Sequence, residues 1–394
     1  MKVLTRYILD EILRVFLLSL VSLTGLMILV GVAKEVLQQG LGPAQVVQLL
    51  PYILPNALLF AVPGTILFAV SIVFGRISAS NEVVAVKALG IHPMTLLWPA
   101  FLLAFLLSLT TVWLNDVAVS WGYRGIQRVV LEAVEEIVYS TLRTQKAFSS
   151  KNLSIHVEGV EGETLIQPTI SFQGQNSART ITVTAAEAEM HTDLVKNVLT
   201  IECRDGVADM GSAGAFWFRE QRHEVSLEQL RKREDLSRVP SHLAMRTLPS
   251  ARRAQLEDIR RHGQEMAGRA AEQLLLGEFR ELKAFKWSEL TERISMDYYN
   301  LHRLETEMPR RWANGFSCLC FAAIGIPMAI QLRNSDILKS FFMCFLPILI
   351  VYYPLTIFGL DRAKDGSLPA YFVWSGNVLL ALWGVWLLRR VLRY

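Results

Sequence analysis

The sequence has few of the residues that build catalytic, metal or nucleotide sites. Its 394 residues include 4 cysteines and 7 histidines, and no two histidines have the HxxxH or HExxH spacing of metal ligands. It contains neither the GxxxxGK phosphate-binding loop nor a GxSxG nucleophile turn. We therefore predict no catalytic residue, no metal and no cofactor, so ATP hydrolysis would require a separate protein.

Cysteine placement excludes an intrachain disulfide from the middle of the chain. Cys203 is the only cysteine between residues 122 and 311, so this region has no second thiol to pair with. Cys318 and Cys320 stand two residues apart, which places them on different faces of a helix and makes them poor joint metal ligands. We interpret both as packing residues.

Charge is also scarce. Charged residues make up 19% of the sequence and hydrophobic residues 52%, a composition typical of membrane proteins. The 40 basic and 36 acidic residues leave a net charge of +4 and are scattered among one another. Because a nucleic-acid binder gathers its basic residues on one surface, we expect no nucleic-acid partner.

Six stretches lack Asp, Glu, Lys and Arg, and each is long enough to cross a hydrocarbon core of ~30 Å as a helix. They are residues 15–33, a tract within 36–75, 88–115, 312–332, 340–360 and 366–388. In the second tract, Pro43, Pro51 and Pro55 predict a loop or interfacial turn before a span from about Leu54 to Gly75. The first run exceeds the ~7 to 15 residues of a signal-peptide core, so we predict an uncleaved helix.

Basic residues in the short loops set the orientation. With six spans, four basic sets fall on one side: Lys2, Arg6 and Arg14; Arg76 and Lys87; Arg333 and Lys339; and Arg389, Arg390 and Arg393. The positive-inside rule makes that side cytoplasmic. The polar stretch 122–311 then faces the opposite compartment, the periplasm of a double-membrane bacterium.

The polar stretch changes character along its length. Between residues 148 and 225, apolar and polar residues alternate as in half-buried strands, which predicts a sandwich or roll of short antiparallel strands. Residues 248–307 have a helical pattern, which predicts one or two amphipathic helices that return the chain to the membrane. The expected domains are residues 1–121, 122–236, 237–308 and 309–394.

The segment between spans two and three has the composition of a short surface helix. Ser80 or Asn81 can cap it, and Glu82 falls in its first turn, where the helix dipole favours an anion. Gly90 suits the left-handed position after its end, and Pro93 prevents continuation. The predicted helix is either a docking element or a loop that merely reverses the chain.

This segment resembles a motif of a known permease family. Residues 75–90, GRISASNEVVAVKALG, are similar to the G-R-L…S-E-L-x-A-x-x-A-x-G segment of the LptF/LptG (YjgP/YjgQ) family. Residues 6–11 resemble its amino-terminal R-Y…E signature, and residues 185–209 resemble the A…L-x-L…D-G pattern of its β-jellyroll. Residues 310–328 resemble its fourth helix with an I-P turn.

The resemblance implies an α-helical integral membrane protein with six transmembrane helices and a periplasmic β-jellyroll domain inserted between helices 3 and 4. It implies a permease subunit of an ABC transporter in the bacterial inner membrane, which extracts lipopolysaccharide and passes it to a periplasmic bridge. The implied partners, besides membrane lipid, are an LptB-like ATPase dimer, a second LptF/LptG-type permease and an LptC/LptA-like bridge protein. The docking residues of the motif map to Glu82, Val83, Ala85, Val86 and Gly90.

Lipid contacts follow from the same resemblance. Lys34 ends the first span at headgroup height, near Met27 and Val30, where the family carries basic residues; a snorkelling Lys34 is the alternative. Pro347 is expected to let the fifth helix bend where it forms a lateral gate with the first. Inward-facing strand residues are expected to line an apolar cleft or to form ordinary core: Ile155, Val157, Ile170, Phe172, Ile181, Val183, Leu199 and Ile201.

Three points stay open from the sequence. A membrane-anchored periplasmic scaffold and a lipoprotein-release ABC permease, which would have four spans, are the alternative functions. The amino-terminal signature and the proline of helix four favour LptF over LptG. The stretch 237–307 is longer than the corresponding segment of the family, and it either serves a partner or extends a lateral wall.

Overall fold

A computed structural model describes residues 2–39, 43–123, 125–126, 128–129, 134–149, 153–162, 164–173, 180–193, 198–209, 214–226, 240–277, 285–332 and 336–393. Within these ranges, six helices are long and apolar enough to span a membrane. They are Val3–Ala33, Val46–Ala79, Met94–Tyr123, Leu290–Leu332, Leu338–Lys364 and Ala370–Arg393. The six predicted spans are confirmed, and the chain is a multi-pass membrane protein.

The helices are numbered in chain order over the described residues. They are α1 (Lys2–Gln39), α2 (Pro43–Ala79), α3 (Glu82–Ala88), α4 (Met94–Val117), α5 (Val134–Gln145), α6 (Leu248–Leu276), α7 (Phe285–Leu332), α8 (Ile337–Pro347), α9 (Tyr353–Lys364) and α10 (Ser375–Arg393). A π-helical turn over Ile348–Tyr352 joins α8 to α9. The fifth span therefore loses regular α-helical geometry between Pro347 and Pro354. Pro354 has no N–H to donate to the carbonyl four residues earlier, that of Ile350, which lies within this turn.

The prediction of a loop before the second span is wrong. α2 runs unbroken from Pro43 to Ala79 through Pro51 and Pro55. Pro43 stands at the first helical position, where the missing N–H would have no partner in any case. Prolines further along are tolerated in membrane helices because small local adjustments of the backbone satisfy the freed carbonyls.

The chain divides into two compact units. One comprises Met1–Met27, Leu54–Ser120 and Pro240–Tyr394, and the other comprises Ile28–Ile53 and Trp121–Val239. The core of the first unit includes the fully buried residues Ile66 and Phe74 of α2, Ala100 of α4 and Ile324 of α7. The first unit is therefore a membrane bundle, whereas the second contains the β domain.

A buried arginine connects the two places where the chain leaves the first unit, near Ser120, and returns to it, near Pro240. The Arg311 side chain is fully buried and lies 3.6 Å from carboxylate oxygens of both Asp116 and Glu307. Its guanidinium donates to the carbonyl oxygens of Leu243 at 2.6 Å and Ser241 at 3.3 Å. Arg311 therefore ties the end of α4 and the segment that follows the β domain to α7.

The inserted antiparallel β domain is confirmed. Its strands are β1 (Ala147–Ser149), β2 (Leu153–His156), β3 (Gly159–Glu161), β4 (Thr164–Ile166), β5 (Thr169–Gln173), β6 (Thr180–Asp193), β7 (Val198–Asp209) and β8 (Ala215–Ser226). β2 pairs with β5 and β3 with β4, β6 pairs with both β4 and β5, and β7 lies between β6 and β8. β5, β6, β7 and β8 form an antiparallel meander, whereas β2 and β4 pair with strands that do not follow them directly in the chain.

A transverse interruption, here called the crease, crosses the sheet at Gln167, Ala186 and Asp205. β4 and β5 keep one register along β6 and are separated at Gln167, whose φ is 48° and whose N–H donates to the Ala186 carbonyl. Asp205, also at φ 48°, stands opposite Ala186 on β7. The buried positions of β6 change parity there, from Ala185 to Ala188. Because a one-residue shift exchanges the two faces of a strand, the crease keeps one face of the sheet apolar along its length.

The apolar face of the sheet packs against α5. Val138, Tyr139 and Leu142 of this helix join the buried strand residues in one cluster. The Tyr139 hydroxyl accepts a hydrogen bond from the Met190 amide at 2.9 Å, so its polar end is satisfied inside the core. Helix and sheet together make the core of the β domain.

The stretch predicted to be helical after the β domain forms two helices. α6 and α7 pack side by side, and Asp297 of α7 lies 2.7 Å from the His262 ring and accepts from Gln255 at 3.1 Å. α7 then continues through Pro309 into the fourth span without a break. The first part of α7 therefore pairs with α6, and its last part belongs to the membrane bundle.

Gly206, next to the crease, has no room for a side chain. A Cβ there would lie 2.6 Å from the Thr184 carbonyl oxygen and 2.6 Å from the Phe218 ring. We predict that Gly206→Ala destabilises the β domain by about 1–3 kcal/mol, the usual cost of overpacking, measured as faster trypsin cleavage in the purified full chain. Gly159→Ala is the control, since its Cβ would meet Ile166 at an ordinary 3.8 Å. Equal cleavage of the two variants would contradict the prediction.

The charge cluster around Arg311 gives a second test. Arg310 and Arg311 balance Asp116 and Glu307, so Arg311→Met leaves one carboxylate uncompensated. We predict a loss of about 3–5 kcal/mol, seen as a lower thermal unfolding midpoint of the purified chain. Adding Asp116→Asn should recover part of this loss, because it restores neutrality while its oxygen still accepts from Met245. A double variant no more stable than Arg311→Met would refute the charge argument.

Candidate functional site

The short helix α3 connects the second and third spans. Asn81 occupies the predicted cap position, but its backbone is left-handed at φ 61° and its side chain makes no capping hydrogen bond. Side-chain capping normally needs an extended backbone at this position, so the predicted cap bond does not form. The Ser80 hydroxyl instead donates to the Glu82 carboxylate at 2.9 Å, which fixes this carboxylate at the start of α3.

The end of α3 follows the prediction. Gly90 has a φ of 72°, and its N–H donates to the Lys87 carbonyl at 2.9 Å, while the Ile91 N–H donates to the Val86 carbonyl at 3.2 Å. These bonds satisfy the last carbonyls of the helix and need a left-handed residue at this point. Glycine is therefore the residue that lets α3 stop after two turns.

One side of α3 is fixed to the membrane bundle. Val83 is 6% exposed and shares an apolar core with Val391. Lys87 Nζ donates to the Val391 carbonyl at 2.8 Å, and Ser78, just before α3, donates to the Ile330 carbonyl at 2.7 Å. The ends of α7 and α10 therefore hold α3 in place.

The other side of α3 is apolar and open. We call it the docking face, which consists of Val84, Ala85, Ala88 and Leu89. Val84 is 46% exposed and Leu89 75% exposed, and both alanines are exposed as well. Apolar side chains at the end of a helix usually pack inward, so this exposure indicates a surface that another protein can cover.

The five predicted docking residues fall into two groups. Ala85 and Gly90 are exposed, and Glu82 and Val86 are half-buried beside them. Val83 instead packs into the core of the bundle, where it supports the helix from behind. Val84 and Leu89 are also exposed and were not among the predicted docking residues. The signal for Leu89 in the sequence is an apolar residue directly before the helix-ending glycine.

An ion pair joins the start of α1 to the end of α2. Arg76 pairs with the Glu11 carboxylate, and Tyr7 lies beside the same carboxylate. Ile8 and Ile12, which adjoin Glu11 on α1, are fully buried. The first turns of α1 are therefore anchored close to the segment that carries α3.

The first and fifth spans are much less buried than the others. Eleven per cent of the most apolar part of the first span and 17% of the fifth are buried, against 61% of the second and 67% of the fourth. Exposed apolar residues of these spans include Leu17, Leu18, Val21, Leu29 and Val30 on α1, and Phe342, Leu346, Leu349, Ile350 and Ile357 on the fifth span. In a membrane, such faces contact lipid acyl chains or another membrane protein.

The lipid-binding predictions on α1 can be placed in part. Val30 is 56% exposed, and Met27 is half-buried. The side chain of Lys34 lies outside the described residues, so its contact with a lipid headgroup stays a prediction.

The strand residues predicted to line an apolar cleft lie in the core shared with α5. Within the described side chains these are Ile155, Val157, Ile170, Val183, Leu199 and Ile201. The side chains of Phe172 and Ile181 lie outside the described residues. Cys203 belongs to the same core, and burial raises the pKa of its thiol to about 11. It therefore stays protonated at neutral pH and serves packing.

Almost the whole sequence matches one family model. Residues 6–390 match the model described as lipopolysaccharide export system permease LptF/LptG. The chain belongs to the LptF/LptG family. A comparison with curated proteins gives no match to an individual protein. The family model covers both permeases, so the assignment to LptF rather than LptG stays a prediction.

In this LptF/LptG permease, the motifs that carried the resemblance coincide with structural junctions. The R-Y…E and G-R motifs meet in the ion pair between Glu11 and Arg76. The D-G motif supplies Asp205 of the crease and the adjoining Gly206, which has no space for a Cβ. The way in which helices and strands join therefore accounts for these residues.

Proposed function

We propose that this permease forms one half of the membrane pathway of an ATP-driven exporter, which extracts lipopolysaccharide from the inner membrane and passes it to a periplasmic bridge protein. The observation that carries the proposal is the docking face of α3, which is exposed and apolar on a helix otherwise fixed to the bundle. A permease without an ATP site of its own needs such a surface, because ATP-driven motion must reach it through contacts with another protein.

The orientation of the chain supports an ATPase on this side. Six spans place α3 and both chain ends on one side of the membrane, together with the basic short-loop residues. The excess of Lys and Arg makes that side cytoplasmic. ATP is a cytoplasmic substrate, so the docking face lies in the compartment where an LptB-like ATPase dimer works. The β domain then lies in the periplasm, where it meets an LptC/LptA-like bridge.

The contacts of α3 suit the transmission of force. Val83, Lys87 and Ser78 attach the helix and its flanking turn to α7 and α10 at buried or half-buried positions. A displacement of α3 by the ATPase is therefore transferred to the packed bundle, because close-packed interiors deform little. The half-buried Glu82 carboxylate, at the start of the helix, offers the partner a charged contact.

The lipid route is proposed to run between the first span of one permease and the fifth span of a second LptF/LptG-type permease. These two spans are the least buried of the six, and both present apolar faces. The π-helical turn after Pro347 interrupts the fifth span, and such turns mark places where helices bend. A loosely packed pair of this kind can part to admit a lipid with several acyl chains.

The first test addresses coupling. We predict that Glu82→Arg abolishes copurification of the ATPase and abolishes lipopolysaccharide transport, while membrane insertion stays normal, since a surface substitution changes stability by only about 0.5 kcal/mol. The control is Asp10→Arg, which reverses an exposed carboxylate near the same membrane side. Normal transport by Glu82→Arg would refute the docking assignment. Retained ATPase binding with a folded but inactive chain would favour a scaffold that moves no lipid.

The second test addresses the lateral gate. A photocrosslinker at Met27 or Val30 should capture lipopolysaccharide in membranes. Replacing Lys34 with Glu should lower that yield, because a carboxylate repels the phosphates of the lipid. A crosslinker at Leu382, which is 67% exposed on α10, serves as the control and should capture bulk phospholipid. Equal capture of lipopolysaccharide at Leu382 and Val30 would show that α1 is ordinary lipid-facing surface.

A further inference from the structure

A cavity lies where α6 and α7 meet the segment before α10. Its volume is about 860 Å³, within the range of roughly 300–1,000 Å³ typical of small-molecule sites. Its walls come from the first turns of α6, from α7 around Met308, and from the segment 369–374. Topology places these three elements on the side of the membrane opposite α3.

The walls of the cavity are suited to a membrane–water interface. Met308 and Trp312 of α7 and Tyr371 and Trp374 before α10 line it. Trp312 stands at the beginning of the charge-free run of the fourth span, and Trp374 stands directly before α10. Trp and Tyr prefer the level of lipid headgroups, since they combine an apolar body with a polar end. These residues therefore favour a position of the cavity at headgroup height.

The charges at the cavity leave one cation without a partner. Arg252, Arg253 and Glu305 line it, and Arg252 pairs with Glu305 at 2.8 Å. Arg253 makes no hydrogen bond or ion pair with the residues that the structure describes, and its side chain is exposed. Two cations and one anion give this cavity a net charge of +1. An arginine fork matches the geometry of phosphate oxygens, to which it can donate two parallel hydrogen bonds.

We propose that this cavity binds one anionic glycerophospholipid, with Arg253 donating to its phosphate and the upper part of an acyl chain packed on Met308, Trp312 and Trp374. The net charge of +1 matches a headgroup with one uncompensated phosphate. The volume suits one headgroup and part of a chain, and it is too small for a glycolipid with several acyl chains. The bound lipid would secure the α6–α7 pair to the membrane surface, and this inference does not depend on the proposed transport.

The test uses the full chain in nanodiscs that contain a photoreactive phosphatidylglycerol, with labelled peptides identified by mass spectrometry. We expect label on the peptides that contain residues 304–312 and 369–374. Arg253→Gln should reduce this label about tenfold, the effect of losing one charge-assisted hydrogen bond. Arg260→Gln is the matched control, because Arg260 lies two turns further along the same face of α6 and is also exposed. It should label like the unaltered chain.

Competing ligands distinguish the possible sources of the phosphate. Excess unlabelled phosphatidylglycerol should displace the label, whereas phosphatidylethanolamine should displace it weakly because its headgroup is neutral overall. Displacement by inorganic phosphate alone would overturn the proposal in favour of a free-anion site. Displacement by equimolar lipopolysaccharide would overturn it in favour of a cargo site. Label that is equal in Arg253→Gln and Arg260→Gln would show that Arg253 does not bind the headgroup.

Discussion

The fully buried Arg311 is the constraint on which the arrangement of this chain depends. A large domain is inserted into a membrane bundle, so the bundle must hold together the two points where the chain leaves it and returns. Asp116 stands at the first point and residues 241–245 at the second. Arg311 forms an ion pair with Asp116 and donates to the carbonyls of Ser241 and Leu243, and Asp116 accepts from the Met245 N–H. A buried guanidinium needs carboxylates and carbonyls around it, because desolvation makes an unpaired charge costly. The same requirement fixes the geometry of these two points.

The bundle itself varies in how tightly its helices pack. A Cβ at Gly384 would lie 2.7 Å from the Ala323 carbonyl oxygen, and one at Gly315 would lie 3.1 Å from the Ser108 carbonyl oxygen. Small residues allow backbones to approach this closely, which is how membrane helices gain packing energy without a hydrophobic driving force. α4, α7 and α10 thus form a tight group, and it is this group that holds α3.

The sequence predicted the spans and the strands well because their signals are simple physical ones. A charge-free run of sufficient length has few alternatives to a membrane span, and alternation with period two has few alternatives to a half-buried strand. The prolines of α2 led to the wrong prediction of a loop. A proline destabilises a membrane helix only slightly where neighbouring groups satisfy the carbonyl that it leaves unpaired. The crease was not predicted, since a parity change such as that from Ala185 to Ala188 becomes meaningful only when the partner strands are known.

The docking face could be predicted only in outline for a related reason. Spacing located α3 and its end at Gly90, but which side of a two-turn helix faces the bundle depends on contacts with distant residues, such as Lys87 with Val391. Within the spans, exposure of an apolar side chain is weak evidence for a protein partner, because lipid chains can contact any apolar face. What distinguishes the first and fifth spans is the contrast with their neighbours, since one chain packs the second and fourth spans closely and leaves these two largely uncovered. Leu89 lies at the end of α3, outside the six spans, so its exposure is the stronger indication that a partner protein binds there.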